Sequence, residues 1–197
     1  MTLPISEPTR RFYSQRVDGR PFVNCLPYSI CPVLSWLGYE VPDTFGMELR
    51  RASGVPVAEG RGTSYADMRR ALDRLLPDAP IRFGAVQDAE LINLLAQKKR
   101  PDARSVVSVI CRMEKLPRYL RRFCGYSWEG LHGLTLHGRK RAPDGTWLVY
   151  LTDPMGRTYR GYNGEWVRYE ELRPALKRNG EGLVRIIEGV RGGAVKT

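Results

Sequence analysis

Hydrophobic spacing changes its period partway along this chain, and that change limits what it can fold into. Up to about residue 95, apolar residues mostly recur at intervals of three and four, the mark of a helix with one buried face. Ile30, Val33, Leu34 and Leu37 form the first such set, so a helix is expected from Pro27 to Leu37. Gly38 ends it, and Pro27 suits its first turn, where a missing N–H costs nothing. Pro32 removes a bond to Tyr28 and should kink the helix or shift its start. A second helix is expected over about 43–53, ended by Gly54, and a third after Thr63 or Ser64 as N-cap, with Met68, Leu72, Leu75 and Leu76 on its inner face. IRFGAV, 81–86, reads as a short strand, and QDAELINLLAQKK as a helix with Leu91, Leu94 and Leu95 inward.

The second half alternates instead. SVVSVICRM, 105–113, is β-branched, apolar and long enough to be a central strand. LHGLTLHGR and TWLVYLTDP are two strands joined by APDG, a hairpin signature. GEWVRYEELRPAL begins as a strand or turn and ends as a short helix, and GLVRIIEGV is a final strand. Helices first and antiparallel strands afterwards is the α+β pattern. The segment 112–129 mixes aromatics with arginines and reads equally as a flank of a cleft or as a basic surface helix. Residues 1–19 form a basic arm, 20–190 one domain, and 191–197 a flexible tail.

Of 197 residues, 42% are hydrophobic and 27% charged, enough for a real core. No run reaches the roughly 18 apolar residues that cross a bilayer, and MTLPISEPTRRFYSQR has no apolar stretch of signal-peptide type, so a soluble protein without a standard leader, cytoplasmic or carried in a virion, is expected. The net charge of +11 calls for anionic company such as nucleic acid, a virion interior or a cell-wall polymer. Six of the 32 basic residues are lysine, leaving 26 arginines spread along the chain, and no nucleic-acid module is recognisable.

The four cysteines, Cys25, Cys31, Cys111 and Cys124, form no CxxC, and with two histidines there is no zinc-type cluster; neither metal nor cofactor is expected. Cys25 differs from the others by standing at the mouth of the first helix, where N–H groups and the helix dipole favour a thiolate. Cys31 and Cys111 read as core packing, and Cys124 is loop-borne. A thiol nucleophile needs a base, and the base an orienting group. His132 and His137 lie five apart on one strand and so face opposite ways; His132, at the strand's start beside Gly130 and Gly133, is the better placed. In a hairpin the end of one strand lies near the start of its partner, which brings Asp153 toward His132. Asp before Pro154 is equally a turn former.

Four stretches in order resemble a known family: CLPYSICPVLSWLGYEVP, GTSYADMRRAL, HGLTLHG and VYLTDP, covering about 20–176. The chain resembles the papain-like cysteine peptidases, most of all the double-glycine (bacteriocin-processing) peptidase-like branch. The resemblance implies a papain-like α+β fold, with Cys25 as nucleophile, His132 as base and Asp153 orienting the imidazole. In two places the chain departs from that pattern. Leu26 stands where the family has Gly. The family's oxyanion-holding Gln, six residues before the cysteine, is replaced by Gly19, which leaves Gln15 or Asn24 as the candidate donors.

The expected activity is therefore peptidase or amidase chemistry through an acyl-enzyme, on a peptide, a protein or peptidoglycan. By analogy, the basic surface, Arg bias and missing leader fit a bacteriophage virion or tail protein with other virion proteins as partners. Two alternatives stay open. One is a weak or inactive module with a structural or binding part in an assembly, which the altered oxyanion region favours. The other is non-specific contact with an anionic polymer such as nucleic acid.

Overall fold

The computed structural model describes residue 13 and residues 23–56, 61–96, 106–124 (side chains to 121), 130–155 and 164–190. Three helices come first: α1 (Cys25–Trp36), α2 (Phe45–Ser53) and α3 (Tyr65–Leu75). Then follow β1 (Ile81–Val86), α4 (Asp88–Leu94), β2 (Val107–Arg112), a 3-10 turn over Met113–Lys115, α5 (Arg118–Cys124), β3 (Leu131–Arg141), β4 (Trp147–Thr152), β5 (Glu165–Arg168), α6 (Tyr169–Leu172) and β6 (Val184–Gly189). The fold is α+β, built on one six-stranded antiparallel sheet in the order β1-β6-β2-β3-β4-β5. The last strand lies between β1 and β2, so chain order does not give sheet order. No described helix is long and apolar enough to cross a membrane.

Alternation along the strands sends successive side chains to opposite sides. Val107, Val109, Cys111, Leu134, Leu136, Val149 and Leu151 join one core cluster with Leu91, Leu120 and Leu172 from the later helices. The opposite side carries α1. There Ile110 and Ile187 pack with Ile30, Leu34, Leu49, Met68 and Leu72. The sheet is thus sandwiched between two helical groups, and α1 is the helix that lies on its central strands. Tyr13, in the segment expected to be an arm, is 2% exposed and belongs to this second cluster.

Most expected elements appear, with instructive differences. Helix α1 begins at Cys25, two residues before the expected start, and continues through Pro32. Ser64 is the N-cap of α3: its hydroxyl accepts from the Asp67 N–H, and the Asp67 carboxylate accepts from the Ser64 N–H. Leu75 of that helix is 39% exposed rather than inward, because the buried face consists of Asp67, Met68, Ala71 and Leu72. Cys124, expected in a loop, ends α5. The hairpin closes where expected, with Ala142 and Thr146 bonded across the turn and Gly145 at φ +82°. The expected tail, 191–197, lies outside the described residues.

Two glycines let α1 approach the sheet closely. A Cβ on Gly133 of β3 would lie 2.8 Å from the Leu26 Cα, and one on Gly189 of β6 would lie 2.9 Å from the Leu37 and Trp36 side chains. Between these points a small polar layer fixes the register of helix on sheet. The Ser29 and Ser108 hydroxyls are 2.7 Å apart, and the Thr135 hydroxyl donates to the Ser29 carbonyl at 2.8 Å. All three residues are buried, where a satisfied polar contact holds one arrangement and a broken one is costly.

Candidate active site

Cys25 is the first residue of α1, and Tyr28 donates its N–H to the Asn24 carbonyl to close the first turn. The thiol is partly exposed, whereas Cys31 and Cys111 are buried. Because Gly133 has no side chain, the start of α1 rests directly on the start of β3. The Gly133 N–H and the His132 ring act on the Cys25 thiol, both favouring its charged form. His132 turns its Nε2 to Asp153 Oδ1 at 2.8 Å, leaving Nδ1 as the ring nitrogen that can serve the thiol.

Asp153 follows Thr152, and Thr152 lies opposite Thr135 in the hairpin ladder, so the imidazole reaches diagonally across the strands. Its Oδ1 also accepts the N–H of Met155 at 2.7 Å. Turn formation before Pro154 and orientation of the histidine are therefore performed by the same carboxylate. The His132 and Asp153 side chains are both fully buried. A backbone donor on the carboxylate keeps it in place and favours its charged form.

The electrostatics of the pair point one way. Burial disfavours charge on Cys25, but the His132 hydrogen bond, the His132 charge and the Gly133 N–H outweigh burial and the opposing Asp153 charge, holding the thiol below its ordinary value. Burial also works against a charged His132, yet Asp153 and the Cys25 sulfur raise the imidazole well above its usual range. A thiol lowered beside an imidazole raised is the condition for a thiolate–imidazolium pair near neutral pH. Cys111 is a useful contrast. It lies directly opposite His132 in the β2–β3 ladder, but burial, followed by the Asp153 and Cys25 charges, pushes its thiol well above the ordinary value.

His137 takes no part in this constellation. It sits at the irregularity between Leu136 and Gly138, on the face of Tyr150 and Thr152, with Nε2 2.7 Å from the Thr152 hydroxyl and its ring edge-to-face with Tyr150. Of the candidate oxyanion donors, Gln15 lies outside the described residues. The Asn24 amide is buried, with Nδ2 3.1 Å from the Met47 sulfur and Oδ1 accepting from Arg50 at 3.2 Å.

Arg50 was not legible as a site residue. Although fully buried, its guanidinium also donates to the carbonyls of Val23, Pro56 and Arg61 at 2.7–2.9 Å. It thereby ties the residues just before the nucleophile to the segment leading into Gly62-Thr63-Ser64. That segment forms a wall of a cleft of about 390 Å³ whose floor holds Cys25, His132 and Gly133. Gly133, beside the histidine, serves close contact with α1. Lys177 and Arg185 also line the cleft, and they were hidden among 32 basic residues. Of the segment 112–129, Arg112 and Lys115 line an adjoining trough and no residue with a described side chain lines this cleft; the side chains of 122–129 lie outside the described residues.

Among the described residues, no group of three or more His, Cys, Asp or Glu side chains could hold a metal. The arrangement is suited to nucleophilic attack by sulfur, with a proton available on the neighbouring imidazole for the leaving group. Compared with protein-family models and with curated proteins, the chain matches none at a significant level.

Proposed function

We propose that this protein is a cysteine hydrolase, a peptidase or amidase of papain-like type. The observation that carries the reading is the convergence of Cys25 from α1, His132 from β3 and Asp153 from the end of β4, with Cys25 and His132 lining one open cleft and Asp153 buried against the histidine. Cys25 adds to the carbonyl carbon of an amide. Imidazolium at His132 gives its proton to the departing amine, leaving an acyl-enzyme thioester. Neutral His132 then takes a proton from water as the water attacks, and the acid is released with the thiolate restored. Asp153 keeps the ring in one tautomer and stabilises its charge throughout. The Cys25 N–H, at the start of α1, and the dipole of that helix face the developing oxyanion in this scheme.

The papain-like architecture belongs to the same proposal. Its supports are a nucleophile at the start of a helix laid on an antiparallel sheet, with the base and its orienting carboxylate on adjacent strands. A phage virion or tail setting, with peptidoglycan or virion proteins as substrate, fits the charge of +11 but rests on analogy alone.

The test is a pH series of alkylation by iodoacetamide with peptide mapping at every cysteine. The proposal expects Cys25 to react fastest at and below pH 7, and His132→Ala to move its reactivity up toward that of an ordinary thiol. Cys25 reacting no faster than Cys124 at pH 7 would sink it. The fold would then stand as a binding or structural module.

A further inference from the structure

The charge on the cleft wall is one-sided. Lys177 and Arg185 line it together with apolar Leu26, Ile110 and Leu131, and the described lining residues include no carboxylate. The two cations are set side by side by the backbone: the Arg185 N–H donates to the Lys177 carbonyl, and the Lys177 N–H donates to the Ile110 carbonyl. Other cations near the sheet are neutralised. Asp88 accepts from Arg173 at 2.9 Å and from Arg178 at 2.7 Å, and Glu188 pairs with Arg82. No ion pair involves Lys177 or Arg185 among the described residues.

Lys177 also borders the neighbouring trough of about 520 Å³, whose described lining holds Arg112, Lys115, Arg173 and Arg178 against one carboxylate, Glu170. Positive charge therefore predominates from the cleft into the trough. Low-dielectric walls dominated by one sign focus the field and select the opposite charge.

We propose that the cleft selects a peptide with an acidic side chain close to the bond attacked by Cys25, its carboxylate docking at Lys177 and Arg185. This deepens the hydrolase reading and rests on it. Whatever binds these cations lies within reach of the sulfur, so it must also offer an acyl carbon. A peptide with Asp or Glu offers both, whereas a nucleic acid offers phosphate without the amide. Free acidic peptides and the carboxylate-bearing stem peptides of a cell wall share this chemistry.

The test uses short peptides carrying a vinyl sulfone electrophile, with Glu or Gln placed at each position in turn, and follows the second-order labelling rate of Cys25 at low salt. At one position Glu is expected to exceed Gln by about tenfold, the effect of roughly 1.4 kcal/mol. Lys177→Gln with Arg185→Gln should bring that ratio to within twofold, whereas Arg51→Gln with Arg118→Gln, an equal charge loss outside the cleft, should preserve it. A Glu-to-Gln ratio near one at every position, or one that survives the cleft variant, overturns the proposal.

Iodoacetamide on the unaltered protein reports the thiolate separately, so failure of the hydrolase reading is distinguishable. In that event the same Glu and Gln peptides, without the electrophile, are compared for binding to the Cys25→Ala protein, and equal affinity overturns the acidic preference. A single-stranded oligonucleotide of matched charge that displaces the Glu peptide more strongly than any peptide, through Lys177 and Arg185, would reassign the cations to nucleic acid. Labelling of stem peptides against linear acidic peptides decides between the two sources.

Discussion

The two ends of β3 carry the same side chain and put it to different use. At one end His132 meets a buried carboxylate, a helix start and a thiol; at the other His137 meets a threonine hydroxyl and a tyrosine ring. Both are buried, at 1% and 8% exposure, so burial does not separate them. What separates them is charge within reach. Asp153 makes a cation at His132 favourable despite its desolvation, whereas the Thr152 hydroxyl on the His137 ring carries no charge. A histidine acquires such chemistry through its neighbours, and α1 and the end of β4 bring those neighbours to one end of β3.

Removing the two rings in turn is the strongest way to break this contrast. His132→Ala should slow alkylation of Cys25 at pH 6 by on the order of 10²-fold, the low end of what a positioned proton-transfer group contributes. His137→Ala should leave that rate within about twofold. Equal losses in the two variants would show that the ends of β3 are coupled and that the contrast is false.

Gly133→Ala tests the role of contact between α1 and β3. Its Cβ would fall 2.8 Å from the Leu26 Cα, a backbone atom that cannot step aside. Overpacking of this kind costs about 1–3 kcal/mol, so the denaturation midpoint should fall, and Cys25 reactivity at pH 6 should fall with it as the thiol leaves the imidazole. Unchanged reactivity would mean that the pair survives displacement of the helix.

Asp153→Asn sharpens the electrostatic half of the comparison. Loss of a neighbouring charge shifts a group by about 1–3 pH units. His132 should therefore lose its proton at lower pH, and ring resonances followed by NMR should show the midpoint falling. The linkage has a definite sign. A histidine raised in the folded state adds stability that is fully present below its unfolded value of about 6.5 and is lost as pH rises through the folded value. The alkaline loss of stability expected of the native protein should therefore shrink in Asp153→Asn. If the His132 midpoint stays where it was, the carboxylate is orienting the ring without charging it.

Thr152→Val is the smallest perturbation. It removes one buried hydrogen bond from His137 Nε2 and should cost about 1–3 kcal/mol, the penalty for leaving a buried polar group unsatisfied. Cys25 labelling should not change. Any fall in labelling would reveal that the far end of the strand does reach the thiol.

Local signals in this chain were strong, and the catalytic candidates were among them. Cys25 announced itself by a helix start, His132 and Asp153 by the ends of two strands in a hairpin whose turn was plain from Pro143, Asp144 and Gly145. Each depends on residues near it along the chain, which is why it could be read. Arg50 could not be, because its four acceptors are spread from Val23 to Arg61 and three of them are backbone carbonyls, which every residue possesses. Leu75 was misplaced for a related reason. A helical stripe shows that one face is apolar, but the neighbour it meets sets how far that face extends, and the core takes Ala71 and Asp67 while Leu75 stays outside.

Sequence by itself determined the α+β class and most element boundaries, and it singled out Cys25, His132 and Asp153 as candidates, since period, turn chemistry and helix ends are short-range properties. Tertiary structure alone decided the rest. It set β6 between β1 and β2, brought α1 onto Gly133 and Gly189, and selected Lys177 and Arg185 from 32 basic residues to line the cleft that holds Cys25. These outcomes depend on contacts between residues far apart in the chain, where spacing along the sequence carries no information about distance in space.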